Sequence, residues 1–164
     1  MELTLRTAER RDAEAIRSIY NLEVTTTDVT FDLVPRTLDE QVAWIDEHSG
    51  AHPAIVATAR DGMIAGFGSL SPFKPRAAYS PTVEDSVYVH EAHRGLGVGR
   101  AIVGELVRLG REHGFHSVIA RIVGSHEASI ALHRACGFDL VGIEREVGRK
   151  FNRWLDVVEM QRML

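Results

Sequence analysis

Apolar and polar positions alternate along the chain in two rhythms, one of period two and one near 3.6, and the switches between them mark out the elements. "LTLRT", residues 3–7, reads as a short strand. Ile16, Ile19 and Tyr20 then form a stripe at helical spacing, with Asp12 placed to cap that helix through its side-chain oxygen. A second helix is predicted after Thr37, with Val42 and Ile45 facing inward. "PAIVATARDGMIAGFGSL", residues 53–70, is two apolar runs joined at Asp61-Gly62, residues suited to the positive φ angles of a tight turn, and predicts an antiparallel hairpin. Residues 71–82, "SPFKPRAAYSPT", carry three prolines and two basic residues, so they are predicted to connect elements without joining a ladder. A loop of that length inside a compact unit points to function.

The second half alternates more regularly. "EDSVYVH" at 84–90 and "HSVIARIV" at 116–123 read as strands, "EASIALHRAC" at 127–136 as a short helix, and "FDLVGIEREVG" and "WLDVVEMQRML" as two closing strands. Between the first two strands lies "HEAHRGLGVGRAIVGEL", residues 90–106. It places Gly95, Gly97 and Gly99 at alternate positions ahead of a helix whose apolar face is Val98, Ile102, Leu106 and Leu109, with Gly114 able to end it in the left-handed conformation. Hairpins at the front, β-α-β-α-β in the middle and a hairpin at the back predict an α/β fold. Its centre is a mixed sheet with helices on both faces.

Glycines just before a helix bring bare backbone and unpaired N–H groups to the positive end of a dipole, an arrangement suited to phosphate. The spacing G-x-G-x-G is neither the dinucleotide fingerprint G-x-G-x-x-G nor a Walker loop, since no G-K-[ST] follows.

Composition narrows the choice of partner. The chain has 164 residues, 45% hydrophobic and 26% charged, the balance of one globular domain spanning 1–164. A net charge of −4 argues against nucleic acid, which needs a basic footprint. No apolar run approaches a membrane span, so no membrane partner is expected. Cys136 is the one cysteine, and with no apolar leader at the N-terminus a cytoplasmic location is expected. Among eight histidines, His90 with His93 and His113 with His116 are paired at i, i+3, but two ligands do not make a site, and no metal is expected.

Together these segments resemble the GNAT superfamily of N-acetyltransferases. "RGLGVG", Arg94 to Gly99, is similar to its acetyl-CoA loop R/Q-x-x-G-x-G, and "SIALHRACGF", Ser129 to Phe138, to the helix and Gly-Phe turn after its fifth strand. "VTTTDVTF", "FKPRAAY", "TVEDSVYV" and "GRKFNRWLDV" resemble the phosphinothricin and methionine sulfoximine acetyltransferase branch. The resemblance implies a mostly antiparallel sheet of about six to seven strands, splayed after the fourth. It also implies acetyl-CoA as cosubstrate, a small-molecule amine as acceptor, and a homodimer.

Site roles follow from the same resemblance. Arg94, Gly95, Leu96, Gly97, Val98, Gly99 and Arg100 would hold the diphosphate, and the backbone of Val87 and Val89 the pantetheine arm, with an N–H near Tyr88 polarising the thioester carbonyl. His126 stands where relatives usually have an asparagine bonding that arm, and Ser129 begins the matching helix. Glu84 is implied as the base that deprotonates the amine, and His133 as an acid or stabiliser for the departing thiolate. Strand periodicity points Asp85 to the face opposite Glu84. Phe31, Lys74, Pro75, Arg76, Tyr79, Glu84, Asp85 and Ser86 are expected to surround the acceptor, with Lys150 and Trp154 completing the pocket. Lys74 and Arg76 would supply cations for an anionic amino acid. On the residues alone, Glu84 and Asp85 also read as solvated charges at a strand entry, His133 as a packed side chain, and Lys74 and Arg76 as an exposed basic loop. Cys136 reads as a small buried apolar residue. A protein N-terminus or polyamine acceptor, or a catalytically silent CoA-binding dimeric module, would use the same glycine loop.

Overall fold

The computed structural model describes residues 2–164. Among them, the order is β1 (Leu3–Thr7), α1 (Ala13–Thr26), α2 (Leu38–Glu47), β2 (Ala54–Ala59), β3 (Ile64–Pro72), β4 (Thr82–Val89), α3 (Val98–Glu112), β5 (Ser117–Val123), α4 (Glu127–Ala135), β6 (Asp139–Lys150) and β7 (Arg153–Met163). The strands form one sheet in the order β1-β2-β3-β4-β5-β7-β6. Every pairing is antiparallel except β4 with β5, where α3 provides the crossover.

The continuous apolar run of β2 has its reason in the layers. Val56 and Phe67 pack under Ile16, Ile19, Tyr20 and Ile45 of α1 and α2, while Ile55 and Ala57 pack under Ile102, Val103 and Leu106 of α3. A strand covered on both faces has no polar face to alternate with. Gly66 and Gly68 on β3 let α3 sit close: a Cβ on Gly68 would lie 2.5 Å from Ile102 Cγ2 and 2.8 Å from the Ser86 carbonyl.

Three local expectations change. Asp12 does not cap α1 with its side chain; it is buried, accepts from the Glu9 N–H at 2.8 Å and pairs with Arg6 at 2.7 Å, so it closes a short 3₁₀ turn over Arg10–Asp12 instead. In the β2–β3 turn only Gly62 has positive φ (+83°); Asp61 contributes its carboxylate, which accepts from the Met63 N–H at 3.0 Å. The connection is also shorter than 71–82. Ser71 and Pro72 still pair with Glu84 and Val83 at the end of β3, where a proline that lacks an N–H is tolerated.

One irregularity creates the site. β4 keeps its antiparallel register with β3 from Val83 to Val89, but runs beside β5 only from Thr82 to Glu84. Beyond Glu84 the strands part, while β5 stays paired with β7 along its whole length.

Candidate active site

A cleft of about 730 Å³ opens where β4 and β5 separate, walled by those strands, the loop before α3 and the start of α4. The ladder phase decides which amides face it. His90 N–H donates to the Ala65 carbonyl at 2.9 Å, so by the alternation of an antiparallel pair Tyr88 and Ser86 bond to β3 while Val87 and Val89 turn their backbone groups towards the cleft. Val89 confirms the direction: its carbonyl accepts from Arg94 Nε at 3.4 Å. The N–H groups available to a ligand are therefore those of Val87 and Val89, and that of Tyr88 belongs to the sheet.

At the far wall, Gly95 and Gly97 have φ of +75° and +85°, and Gly97 is the left-handed residue before α3. No atom lies within 4 Å of a Cβ built on either, so here the backbone angle, not crowding, requires glycine. Gly99 differs, since its Cβ would meet Leu132 Cδ2 of α4 at 3.0 Å. The first helical bond runs from Ala101 N–H to the Gly97 carbonyl at 3.1 Å. Among the described residues, the amides of residues 95–100 consequently have no internal acceptor, and they gather at the positive end of the α3 dipole. Leu96 is exposed and its side chain stands outside the cleft.

Glu84 and Asp85 point to opposite faces of β4, as the strand period predicts. Asp85 is buried and its Oδ2 lies 3.0 Å from His133 Nε2; His133 Nδ1 donates to the Ser129 carbonyl at 2.8 Å. Burial alone would lower the His133 pKa, but the bond to Asp85, its charge and the Ser129 carbonyl outweigh it and hold the ring above its usual 6.5. Both ring nitrogens are thus engaged within the protein, while the ring itself lines the cleft. Glu84 is the contrasting carboxylate. It lines the cleft, and no side chain among the described residues hydrogen-bonds it. Burial raises its pKa; Arg121 opposes this, while Asp85 and Glu159 add to it.

Arg94 crosses the cleft mouth to pair with Glu23 of α1, a buried carboxylate that also accepts from Thr27 Oγ1 at 3.0 Å. His126 precedes α4 and faces the same region, where burial first, and Arg94 and His133 after it, lower its pKa. Phe31 forms part of the opposite wall and is pinned from three directions. Lys150 Nζ donates to the carbonyls of Thr30 and Asp32, each at 2.9 Å, Tyr20 shares a 3.0 Å hydrogen bond with Thr30, and Gly148 leaves the space that the Phe31 ring fills.

The cleft therefore brings together Phe31, Glu84, Asp85, Ser86, Val87, Tyr88, Val89, Arg94, Gly95, Gly97, Val98, Gly99, Arg100, His126, Ser129 and His133. It does not include Lys74, Pro75, Arg76 or Tyr79. Their loop is exposed, and the Lys74 ammonium sits 4.9 Å and 5.3 Å from the rings of Phe73 and Tyr79. Lys150 is a buried brace instead of a pocket cation, and Trp154 is exposed beneath Arg149. Glu23, His93 and Arg121 line the cleft without having been anticipated. Arg121 carried a signal: it interrupts the otherwise apolar run "SVIARIV". Among the described residues, no group of three or more His, Cys, Asp or Glu side chains is arranged to hold a metal ion.

Free amides at a helix start face a strand edge without a partner, a geometry chemically suited to a phosphorylated, peptide-like ligand. The acetyltransferase (GNAT) domain family matches residues 5–158. The chain belongs to the GNAT acetyltransferase family. This GNAT enzyme is 36% identical over 162 residues to the L-methionine sulfoximine/L-methionine sulfone acetyltransferase of Pseudomonas aeruginosa, covering 98% of this chain and 94% of that protein. It is 33% identical over 162 residues to the L-amino acid N-acyltransferase MnaT of Escherichia coli, covering 99% and 94%. Its fold superposes with a TM-score of 0.96 on a GNAT superfamily phosphinothricin acetyltransferase from Sinorhizobium meliloti in complex with acetyl-CoA, at 39% identity, covering 100% of this chain and 89% of that one.

Proposed function

We propose that this protein, acting as one domain, moves the acetyl group of acetyl-CoA to the α-amine of a small amino acid of the methionine sulfoximine, methionine sulfone or phosphinothricin type. The observation that carries the reading is Glu84, a half-buried carboxylate that no side chain among the described residues hydrogen-bonds, standing where β4 and β5 part. Relatives that act on such amino acids by name supply the acceptor class.

The amides of residues 95–100 hold the diphosphate, with Arg100 beside them, and the backbone of Val87 and Val89 extends the sheet onto the pantetheine arm. The thioester supplies an activated acetyl carbon. An incoming ammonium has no lone pair until Glu84, directly or through one water, takes a proton from it. Burial suits Glu84 to this task by raising its affinity for that proton. An N–H of Val87 or Val89 receives the charge that develops on the carbonyl oxygen. The proton shed as the amide forms neutralises the thiolate. The hydrogen bond between Asp85 and His133 ties α4 to β4 along the wall of the cleft.

We further propose a homodimer, because β6 is an exposed edge strand that presents Leu140, Val141, Ile143 and Val147. Sedimentation at two protein concentrations tests it. Among the described residues no helix is long and apolar enough to cross a membrane, and a cytoplasmic location agrees with the free Cys136 thiol.

The deciding experiment is thiol release from acetyl-CoA with a panel of amines. Turnover of L-methionine sulfoximine but not of spermidine or a peptide N-terminus is the expected result. Turnover of either of those instead favours the other acceptor classes. Thermal stabilisation by CoA with no turnover on any amine would mark a silent binding module.

A further inference from the structure

An α-amino acid presents two opposite charges on one carbon, so a base for its ammonium calls for a cation close by to take its carboxylate. The expected cations, Lys74 and Arg76, stand outside the cleft. Others within or near it are already occupied: Arg94 is paired with Glu23, and Lys150 with two carbonyls. Arg100 lies on α3 beside the free amides. Arg121 remains. Register puts it on the Glu84 face of the sheet, since Glu84 stands opposite Ile119 in the parallel pair and Arg121 is two residues further along β5. It lines the cleft from the strand that departs, on the same wall as Glu84.

We infer that Arg121 binds the α-carboxylate of the acceptor while Glu84 addresses its α-amine, which makes Arg121 a specificity-determining residue for α-amino acids. Its one hydrogen bond among the described residues runs from Nη2 to Glu144 Oε1 of β6 at 2.5 Å. The other guanidinium donors are uncommitted, and a planar fork suits a carboxylate. The Glu144 pair is of the half-exposed kind, 37% and 43% accessible, which a ligand carboxylate can share or displace. Glu84 also responds to Arg121, whose charge opposes the upward pull of burial.

This inference rests on the amino-acid reading, so the test separates the two. The probes are L-methionine sulfone, whose side chain is uncharged, and its α-carboxamide, each compared in the wild-type protein and in Arg121→Gln. Rates are taken on the plateau of each pH profile, because removing Arg121 also moves Glu84. The wild type is expected to favour the acid over the amide by roughly 10- to 100-fold in kcat/KM, the scale of a charged hydrogen bond. Arg121→Gln should reduce that preference towards unity through KM for the acid, leaving KM for acetyl-CoA unchanged. Arg121→Lys, which keeps the charge but loses the fork, should fall between. Wild-type preference retained in Arg121→Gln, or absent from the wild type, overturns the inference alone. A wild type that acetylates peptides or polyamines but no α-amino acid overturns the amino-acid reading, and this inference with it. Thermal stabilisation of each variant by CoA verifies that it is folded.

Discussion

At the scale of single residues, two neighbouring carboxylates on β4 have opposite fates. Glu84 is free, so Glu84→Gln should lower kcat by on the order of 10²- to 10⁴-fold while calorimetric binding of CoA stays intact. Asp85 is bound to His133 inside the protein, so its loss should appear as stability. Removing one partner of a buried pair costs about 3–5 kcal/mol. The pH dependence has a definite sign. His133 is raised above its ordinary value, so the contribution of the pair is whole below about pH 6.5 and is lost as pH rises through the folded-state value above it. Urea midpoints of Asp85→Asn should therefore lie furthest below the wild type in mild acid and approach it in alkali. The difference between the two carboxylates was legible in part. Alternation put them on separate faces, but nothing in the local sequence told that α4 would carry an imidazole to Asp85, since those residues are 48 apart.

At the scale of elements, the contact between β3 and α3 depends on glycine at positions with no turn to mark them. Gly68→Ala would press a methyl into Ile102, Leu106 and the Ser86 carbonyl, and should destabilise the protein by about 1–3 kcal/mol. Gly104→Ala, on the open side of α3 with nothing within 4 Å, should instead stabilise it by about 0.5–1 kcal/mol. Thermal melts of the two variants, moving in opposite directions, check both. Strands and helices were readable from their periods, since each buries one face or both against a neighbour. The β6–β7 hairpin was readable only in outline. It turns through Phe151 and Asn152 at φ of +48° and +59°, and a phenylalanine is not a residue that advertises a left-handed backbone. The same hairpin explains why Lys150 was misjudged: its ammonium is captured by carbonyls more than a hundred residues earlier.

At the scale of the whole molecule, one ladder is deliberately incomplete in its consequences: β4 is bonded on both sides up to Glu84 and on one side beyond it. The glycine loop could be recognised from its spacing, because positive φ and free helix-start amides are local properties. The parting of the strands could not, because it is a relation between β4 and β5, whose paired residues lie more than thirty positions apart in the chain. Saturating CoA at about a hundredfold above its Kd should add about 2.7 kcal/mol to the unfolding free energy. Part of that gain should be visible at individual amides. Val87 and Val89 ought to exchange with deuterium readily in the free enzyme and slowly once the carrier is seated, while Tyr88, bonded across to β3, changes far less. In the proposed complex the carrier is a removable eighth strand, and the sheet regains its unfinished edge each time product departs.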